Sequence, residues 1–183
     1  MTGHKSRIGR ALTWLLVAFT ASLVWMTRGG SRWPSVYYMT GASMEPTIAA
    51  ERYFLAWNPP GELARGDLVI FRYQEGDSVF HVLRRLAGLP GDTISMRNGA
   101  VAVNGVPQPW RFRIIEREAW RSVLARDGNL YSWGPWVVPV DSVFLLADTR
   151  DIIGWPDSRF LGPIPRTHIV AHATRSIRGT PLR

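Results

Sequence analysis

The chain contains no cysteine and almost no lysine. Of its 183 residues 22 are lysine or arginine, and Lys5 is the single lysine, so arginine carries nearly all of the positive charge. The absence of cysteine excludes disulfide bonds, zinc sites with cysteine ligands and thiol catalysis. Because no lysine follows Lys5, mechanisms that need an amine side chain in the rest of the chain are excluded as well.

The basic residues lack the arrangement that is typical of nucleic-acid binding. The formal net charge is +8, but the arginines are scattered and no nucleic-acid motif accompanies them. Attraction to the anionic headgroups of a lipid bilayer explains the charge more simply. His168 and His172 are four residues apart, but a metal site needs a third ligand and none is apparent. We therefore expect a lipid bilayer as partner, no nucleic acid, no metal ion and no cofactor.

Long hydrophobic runs are limited to one, Ala11–Met26, which contains no charged residue. A helix of this length spans about 25 Å, slightly less than the hydrocarbon core of a bilayer. A cleaved signal peptide would have a similar apolar segment, but no cleavage site with small residues follows this one. Lys5, Arg7 and Arg10 precede the run, which favours a cytoplasmic N-terminus. We predict a retained transmembrane anchor.

The chain after the anchor has the composition of a β domain. Its apolar runs are short, rich in valine, isoleucine and aromatic residues, and separated by Gly, Pro, Asn and Asp. The pairs Asn98-Gly99 and Asn104-Gly105 predict tight hairpins. Residues 114–126 are compatible with a helix or with an irregular insertion. The predicted strands are Val36–Met39, Arg52–Trp57, Leu68–Tyr73, Val79–Leu86, Thr93–Arg97, Ala100–Val103, Trp136–Val138, Ser142–Ala147 and His168–Ala173.

These patterns predict a mostly-β protein that is preceded by one transmembrane helix. The predicted parts are a cytoplasmic N-terminus at 1–10, the anchor at 11–27, an extracytoplasmic β domain at 34–175 with a small inserted subdomain at 105–138, and a basic tail at 176–183.

Four segments of the β domain carry the functional information. They are Gly41-Ala-Ser-Met-Glu-Pro-Thr47, Arg65-Gly-Asp-Leu-Val-Ile-Phe71, Arg84-Arg-Leu-Ala-Gly-Leu-Pro-Gly-Asp92, and Asp148-Thr-Arg-Asp151 with Asp157-Ser-Arg159. In these motifs and their order the chain resembles the bacterial type I signal peptidases, membrane-bound serine endopeptidases that remove signal peptides from exported preproteins. The resemblance implies the antiparallel β fold of that family, a single-pass location in the plasma (inner) membrane, and preprotein signal peptides as substrates.

The resemblance implies that Ser43 is the nucleophile. A serine hydroxyl reacts poorly until a base takes its proton. In the family the base is a lysine that burial keeps neutral, and the family pattern places Arg84 at its position. The reference pKa of arginine lies about six units above neutrality, so a neutral guanidine at pH 7 costs roughly 8 kcal/mol. We therefore expect that Arg84 is not an ordinary general base.

His81 is the alternative base. Relatives of this family in the endoplasmic reticulum and in archaea use histidine in the role of the lysine, and histidine exchanges protons near neutral pH. Residues three apart on a regular strand point to opposite faces, so His81 and Arg84 would share a face only if a bulge separated them. The serine that supports the lysine in the family is replaced here by Trp155, so the base and its support differ together.

The resemblance also implies structural ion pairs around the site, formed by Arg85, Asp148, Asp157 and Arg159. The leading prediction is a signal-peptidase-like serine endopeptidase that removes N-terminal signal peptides at the membrane surface. The alternative, which Arg84 and Trp155 motivate, is a catalytically silent relative that binds peptides or a partner protein. In either case an extended peptide would pair with exposed strand edges near Ser43 and at 79–83.

Overall fold

The structure is a computed structural model that describes residues 13–21, 32–115, 124–125, 128–151 and 156–176. The chain divides into two compact units, Met1–Arg32 and Trp33–Arg183. In the first unit residues 13–21 form a helix, α1. Within the described ranges, no helix combines the length and the apolar character needed to cross a membrane. The predicted anchor at 11–27 continues on both sides of α1 into residues outside those ranges.

Seven strands of the second unit form one antiparallel sheet in the described part of the chain. They are β1 (Trp33–Met39), β2 (Arg52–Asn58), β3 (Leu68–Glu75), β4 (Ser78–Gly88), β11 (Ser142–Leu146), β12 (Ile164–Pro165) and β13 (Ile169–Ser176). Their order in the sheet is β1-β2-β13-β3-β4-β11-β12, so β1 lies at an edge. Because β11 pairs with β4 only from Arg85 to Gly88, the first part of β4 also has an open edge.

A second antiparallel sheet, of six described strands, is formed by the middle of the chain. Its strands are β5 (Thr93–Arg97), β6 (Ala100–Val103), β7 (Val106–Pro107), β8 (Leu124–Ala125), β9 (Gly128–Asn129) and β10 (Ser132–Val137), in the order β7-β6-β5-β10-β9-β8. Asn98 and Gly99 both have positive φ angles and join β5 to β6. Asn104 and Gly105 do the same between β6 and β7, so both predicted hairpins are present.

Three clusters of buried apolar residues lie in the described part of the chain. One cluster contains residues of β1, β2, β3, β4 and β13, among them Met39, Phe54 and Ile70. Another joins the second sheet to β11, because Trp133 and Ile94 are buried in the same cluster as Phe144. This cluster excludes larger residues from the last position of β4, since a Cβ at Gly88 would lie 2.7 Å from the Ile94 side chain. The core thereby fixes the point where β4 ends.

A short helix, α2 (Ser158–Leu161), begins shortly after residues 152–155, which lie outside the described ranges, and was absent from the sequence-based prediction. Asp157 caps it by accepting a hydrogen bond from the Arg159 N–H. The Ser158 hydroxyl accepts a hydrogen bond from the Leu145 N–H of β11 at 2.9 Å. The Asp-Ser-Arg motif therefore attaches this helix to the main sheet.

The mostly-β prediction is confirmed, with three local corrections. The predicted strand Trp136–Val138 is wrong at its start, because β10 begins at Ser132 and bends at Gly134-Pro135, where the register shifts and proline offers no N–H. His168 lies in a 3-10 turn, Arg166–His168, ahead of β13. The helix option for 114–126 is wrong at Leu124–Ala125, which is strand β8, and 116–123 lie outside the described residues. The predicted limits of the domain parts stay predictions.

Candidate active site

Ser43 lies in the loop that follows β1, and it is buried. The Thr149 N–H donates to the Ser43 carbonyl at 3.0 Å, and the Thr149 hydroxyl donates to the Ala42 carbonyl at 2.7 Å. A further turn bond runs from the Glu45 N–H to the Ala42 carbonyl at 3.1 Å. The backbone before and after Ser43 is therefore held in place. No backbone oxygen of the described residues accepts a hydrogen bond from the Ser43 N–H.

Arg84 is the side chain that contacts the serine hydroxyl. Its Nη1 lies 3.1 Å from Ser43 Oγ, and the same nitrogen donates to the Leu83 carbonyl at 2.6 Å. Its Nε donates to the Pro156 carbonyl at 3.0 Å. The remaining nitrogen, Nη2, is buried and has no hydrogen-bond partner among the described residues. Within the described residues, all the acceptors of this guanidinium are therefore neutral oxygen atoms.

Burial changes the acidity of Arg84. The residue is 1% exposed. Loss of hydration lowers the pKa of Arg84 to about 10, the charges of Asp157 and Asp148 oppose this change, and the charge of Arg159 adds to it. Since one pKa unit corresponds to 1.36 kcal/mol, a neutral Arg84 at pH 7 costs about 4 kcal/mol, roughly half of the cost expected for a free arginine.

Arg85, the next residue of β4, forms a complete ion pair. Its Nε and Nη2 donate to the two carboxylate oxygens of Asp148 at 2.8 and 2.6 Å. Its Nη1 donates to the Gly66 carbonyl at 2.7 Å, and its Nη2 also contacts the Thr47 hydroxyl at 2.8 Å. The Thr47 hydroxyl in turn donates to Asp148. This group links the Ser43 loop, β4 and the Asp-Thr-Arg-Asp segment.

Asp157 and Arg159 form a second buried ion pair, with Arg159 Nη2 at 2.8 Å from Asp157 Oδ2. Burial favours the neutral form of Asp157, but the charge and hydrogen bonds of Arg159, together with the charge of Arg84, outweigh it and hold the Asp157 pKa below its usual range. Arg159 Nη1 also donates to the Arg150 carbonyl at 2.7 Å. The two ion pairs are thus both present, and charges from each of them act on Arg84.

Three further residues of the site were not singled out by sequence reasoning, although all lie within the motifs. Thr47 and Thr149 fix the Ser43 loop through their hydroxyl groups. Arg150 is buried, donates from Nε to the Gly99 carbonyl at 3.0 Å, and stacks over the Phe112 ring. Burial, aided by the charge of Arg159, lowers the pKa of Arg150 to about 10. Their positions next to Ser43 and Asp148 in sequence were the available signal.

His81 lies three residues before Arg84, and the pairing of β3 with β4 runs through this stretch without a register shift. The bulge that would turn His81 and Arg84 to the same face is therefore absent between them. His81 is exposed, and its ring meets Tyr37 edge-on with centroids 6.5 Å apart. The side chain that forms the hydrogen bond with Ser43 Oγ is that of Arg84.

A groove of about 330 Å³ runs along Ser43 and Arg84. It is lined by residues 37–43 of β1 and the following loop, by residues 80–84 of β4, and by Phe54 and Ile70. The lining includes both the edge strand β1 and the open part of β4. The groove therefore combines a nucleophile, a buried guanidinium, apolar side chains and unpaired strand edges in one place.

The chain is similar in sequence to known proteins of one family. The sequence model described as signal peptidase, peptidase S26, matches residues 11–177. Signal peptidase I from Leptolyngbya laminosa is 32% identical over 148 residues, which cover 74% of this chain and 64% of the relative. Signal peptidase I from Bacillus amyloliquefaciens is 36% identical over 141 residues, which cover 73% of this chain and 68% of the relative.

The lengths of the proteins differ. Signal peptidase I P from Bacillus subtilis subsp. natto is 34% identical over 119 residues, which cover 62% of this chain and 61% of that protein. The chain thus spans less than two thirds of the length of this relative and of the Leptolyngbya one. A crystal structure of a signal peptidase I from Enterococcus faecalis V583 is 24% identical, with a TM-score of 0.42, and the match covers 60% of this chain and 95% of that chain.

Proposed function

The chain belongs to the family of signal peptidases, peptidase S26, and we therefore propose that it is a serine endopeptidase that removes signal peptides from exported preproteins. The observation that carries the proposal is the contact of 3.1 Å between Ser43 Oγ and Arg84 Nη1 in a peptide-sized groove. Ser43 is the nucleophile. Arg84 occupies the position from which a base removes the serine proton.

The reaction begins with the minor, neutral form of Arg84. Neutral Arg84 accepts the Oγ proton while Oγ forms a bond to the carbonyl carbon of the scissile peptide. The resulting guanidinium then returns the proton to the nitrogen of the departing chain, which leaves an ester on Ser43. Water hydrolyses this ester by the same proton transfers, and the products are a carboxylate and the free serine. The Ser43 N–H supplies a donor for the oxyanion of each tetrahedral intermediate.

This mechanism makes the enzyme slow at neutral pH. With a pKa of about 10, roughly one Arg84 in a thousand is neutral at pH 7. Each pH unit below the pKa decreases the neutral fraction tenfold, so activity increases as the pH rises towards 10. The burial that lowers the Arg84 pKa is thus part of the catalytic machinery, because a hydrated arginine would supply far less of the neutral form.

The substrate is an extended peptide. Peptides in this conformation add to exposed strand edges through backbone hydrogen bonds, and both β1 and the first part of β4 offer such edges beside Ser43. Tyr37, Phe54 and Ile70 give the groove an apolar wall. In accord with the family, the residues at the first and third positions before the cut are small, and alanine is typical.

We place this reaction at the surface of the plasma membrane. The hydrophobic run that contains α1 serves as the anchor, with the N-terminus in the cytoplasm and the catalytic unit outside it. Several large apolar side chains on β1 and β2 are exposed, namely Trp33, Val36, Tyr38, Tyr53 and Trp57. Aromatic residues of this kind favour the region of the lipid headgroups, which would bring the groove close to emerging preproteins.

The test is cleavage of a preprotein peptide with an Ala-x-Ala sequence before the cut, by the full chain in detergent. Ser43→Ala should decrease kcat/KM about a thousandfold or more, because the nucleophile is removed. Ser95→Ala is the matched control, since Ser95 lies on β5 of the second sheet and should leave turnover unchanged. Mass spectrometry of the products locates the cut. Peptide binding without serine-dependent hydrolysis would contradict the proposal and indicate a catalytically silent relative.

A further inference from the structure

The charges around Ser43 do not balance. Four arginines and three aspartates are buried in the segments at 84–85 and 148–159, and they are Arg84, Arg85, Arg150, Arg159, Asp148, Asp151 and Asp157. Two of the arginines have a carboxylate in direct contact, in the pairs Arg85–Asp148 and Arg159–Asp157. The segment therefore carries one more buried positive charge than negative charge.

Arg84 is the group with unused binding capacity. A guanidinium has five N–H groups. In Arg84, Nε donates to Pro156, and Nη1 donates to Leu83 and contacts Ser43, so three of the five are used. The two N–H groups of Nη2 have no acceptor in the described part of the chain. Among the described residues, Arg150 is the other buried arginine without a carboxylate in direct contact, but its guanidinium lies over the face of the Phe112 ring.

A buried guanidinium of this kind is suited to a carboxylate. Arginine presents parallel N–H groups that match the two oxygens of a carboxylate, and such charge-assisted hydrogen bonds are strong where water is excluded. Arg84 lines the groove, and its Nη1 contacts Ser43 Oγ there, so a ligand that lies in the groove comes next to the Arg84 side chain. The carboxylate that would neutralise it is absent from the described protein, and a peptide with a free C-terminus can supply one.

We propose that the groove is a receptor for the C-terminal carboxylate of a peptide, with Arg84 as the carboxylate-binding residue and Ser43 Oγ beside it. This inference rests on the proposed function, because hydrolysis at Ser43 creates such a carboxylate at the same position. The ligand class is an extended peptide that ends in a small residue, which is the severed signal peptide itself. The product therefore binds more tightly than an uncharged peptide of the same sequence and delays the next turnover.

The experiment compares two peptides that contain no bond to be cut. A fluorescently labelled peptide that ends in Ala-x-Ala is prepared as the free acid and as the C-terminal amide, and binding to the full chain in detergent is measured by fluorescence polarisation. Hydrogen bonds to a charged group predict that the acid binds about tenfold to a hundredfold more tightly than the amide. Equal dissociation constants for the two peptides would overturn the proposal without any mutation.

The variant Arg84→Gln tests whether Arg84 causes the preference for the free acid over the amide. This variant keeps a planar hydrogen-bonding group but removes the charge, and the acid and the amide should then bind within about twofold of each other. Arg72→Gln is the matched control, because Arg72 is exposed on β3 and does not line the groove. A preference for the acid that persists in Arg84→Gln would refute the role of Arg84. Since these measurements need no turnover, an inactive protein that prefers the acid would refute the proposed function and support this inference.

Discussion

Arg84 and Arg85 are neighbours on β4, and their exposures are 1% and 2%. Successive side chains of a strand point to opposite faces, so the two guanidinium groups enter different surroundings. Arg85 has a bidentate contact with Asp148 and further contacts with Thr47 and Gly66. In the part of the chain that the structure describes, Arg84 donates only to neutral oxygen atoms, one of which is the hydroxyl oxygen of Ser43.

This difference separates a structural arginine from a reactive one. A buried charge with a well-placed partner of opposite sign is held in one state, and it ties together the elements that contact it. A buried charge without such a partner is destabilised, so it loses its proton more readily and attracts an anion more strongly. On this basis we propose that the neutral form of Arg84 activates Ser43 and that its charged form binds a carboxylate.

The largest expected effect is on stability and concerns Arg85. Arg85→Met leaves the buried Asp148 carboxylate without its cation, which should decrease the free energy of unfolding by about 3–5 kcal/mol. Arg84→Met removes a buried charge that has no carboxylate partner, so relief of desolvation should offset the lost hydrogen bonds to within about 1 kcal/mol. Urea unfolding in detergent measures both. Similar losses in the two variants would show that the arginines are equally structural.

Arg84→Lys should increase activity. The reference pKa of lysine is about two units below that of arginine, so a buried lysine is neutral far more often at pH 7.5. The shorter lysine side chain limits the gain, so we expect an increase in kcat/KM of about tenfold to a hundredfold, measured by peptide cleavage. Arg85→Lys is the control and should give no increase, since that position has no contact with Ser43. A loss of activity in Arg84→Lys would mean that the guanidinium itself is required.

The smallest effect is expected for His81. Its side chain is exposed, it contacts Tyr37, and the hydrogen bond to Ser43 comes from Arg84. His81→Asn should therefore change kcat by no more than about threefold in the cleavage assay, while KM is free to change because His81 lines the groove. A decrease in kcat of a hundredfold or more would transfer the role of base from Arg84 to His81.

Much of the fold could be predicted from the sequence, because its strands are short alternating segments with Asn-Gly turns between them. Thr93–Arg97 and Ala100–Val103 have the predicted limits, since the turn residues at Asn98 and Gly99 define the hairpin. The strand Ser132–Val137 was not predicted in full, because Gly134-Pro135 has the composition of a turn and the strand forms through its pairing with β5 and β9. Short strands such as Leu124–Ala125 depend on their partners and carry no local signal.

The site, like the fold, could be predicted only in part. Motifs identified Ser43, Arg84 and the residues of both ion pairs, because the spacing of these segments is characteristic of a family. The sequence could not show that the Arg84 guanidinium reaches Ser43 Oγ, nor that no described carboxylate contacts it. Both facts depend on where the Ser43 loop and the Pro156 carbonyl lie relative to β4. It also gave no estimate of how far burial changes the acidity of Arg84.

The pH dependence of kcat/KM between pH 7 and 10 tests the central claim most directly, with Ser43→Ala as the blank at each pH and circular dichroism as the check of folding. In the proposed mechanism only neutral Arg84 accepts the serine proton. Since the Arg84 pKa is about 10, this mechanism predicts that kcat/KM rises about tenfold per pH unit from pH 7 and levels off near pH 10. A serine-dependent activity that is already constant above pH 7 would contradict the account, because it would mean that a group other than Arg84 is the base.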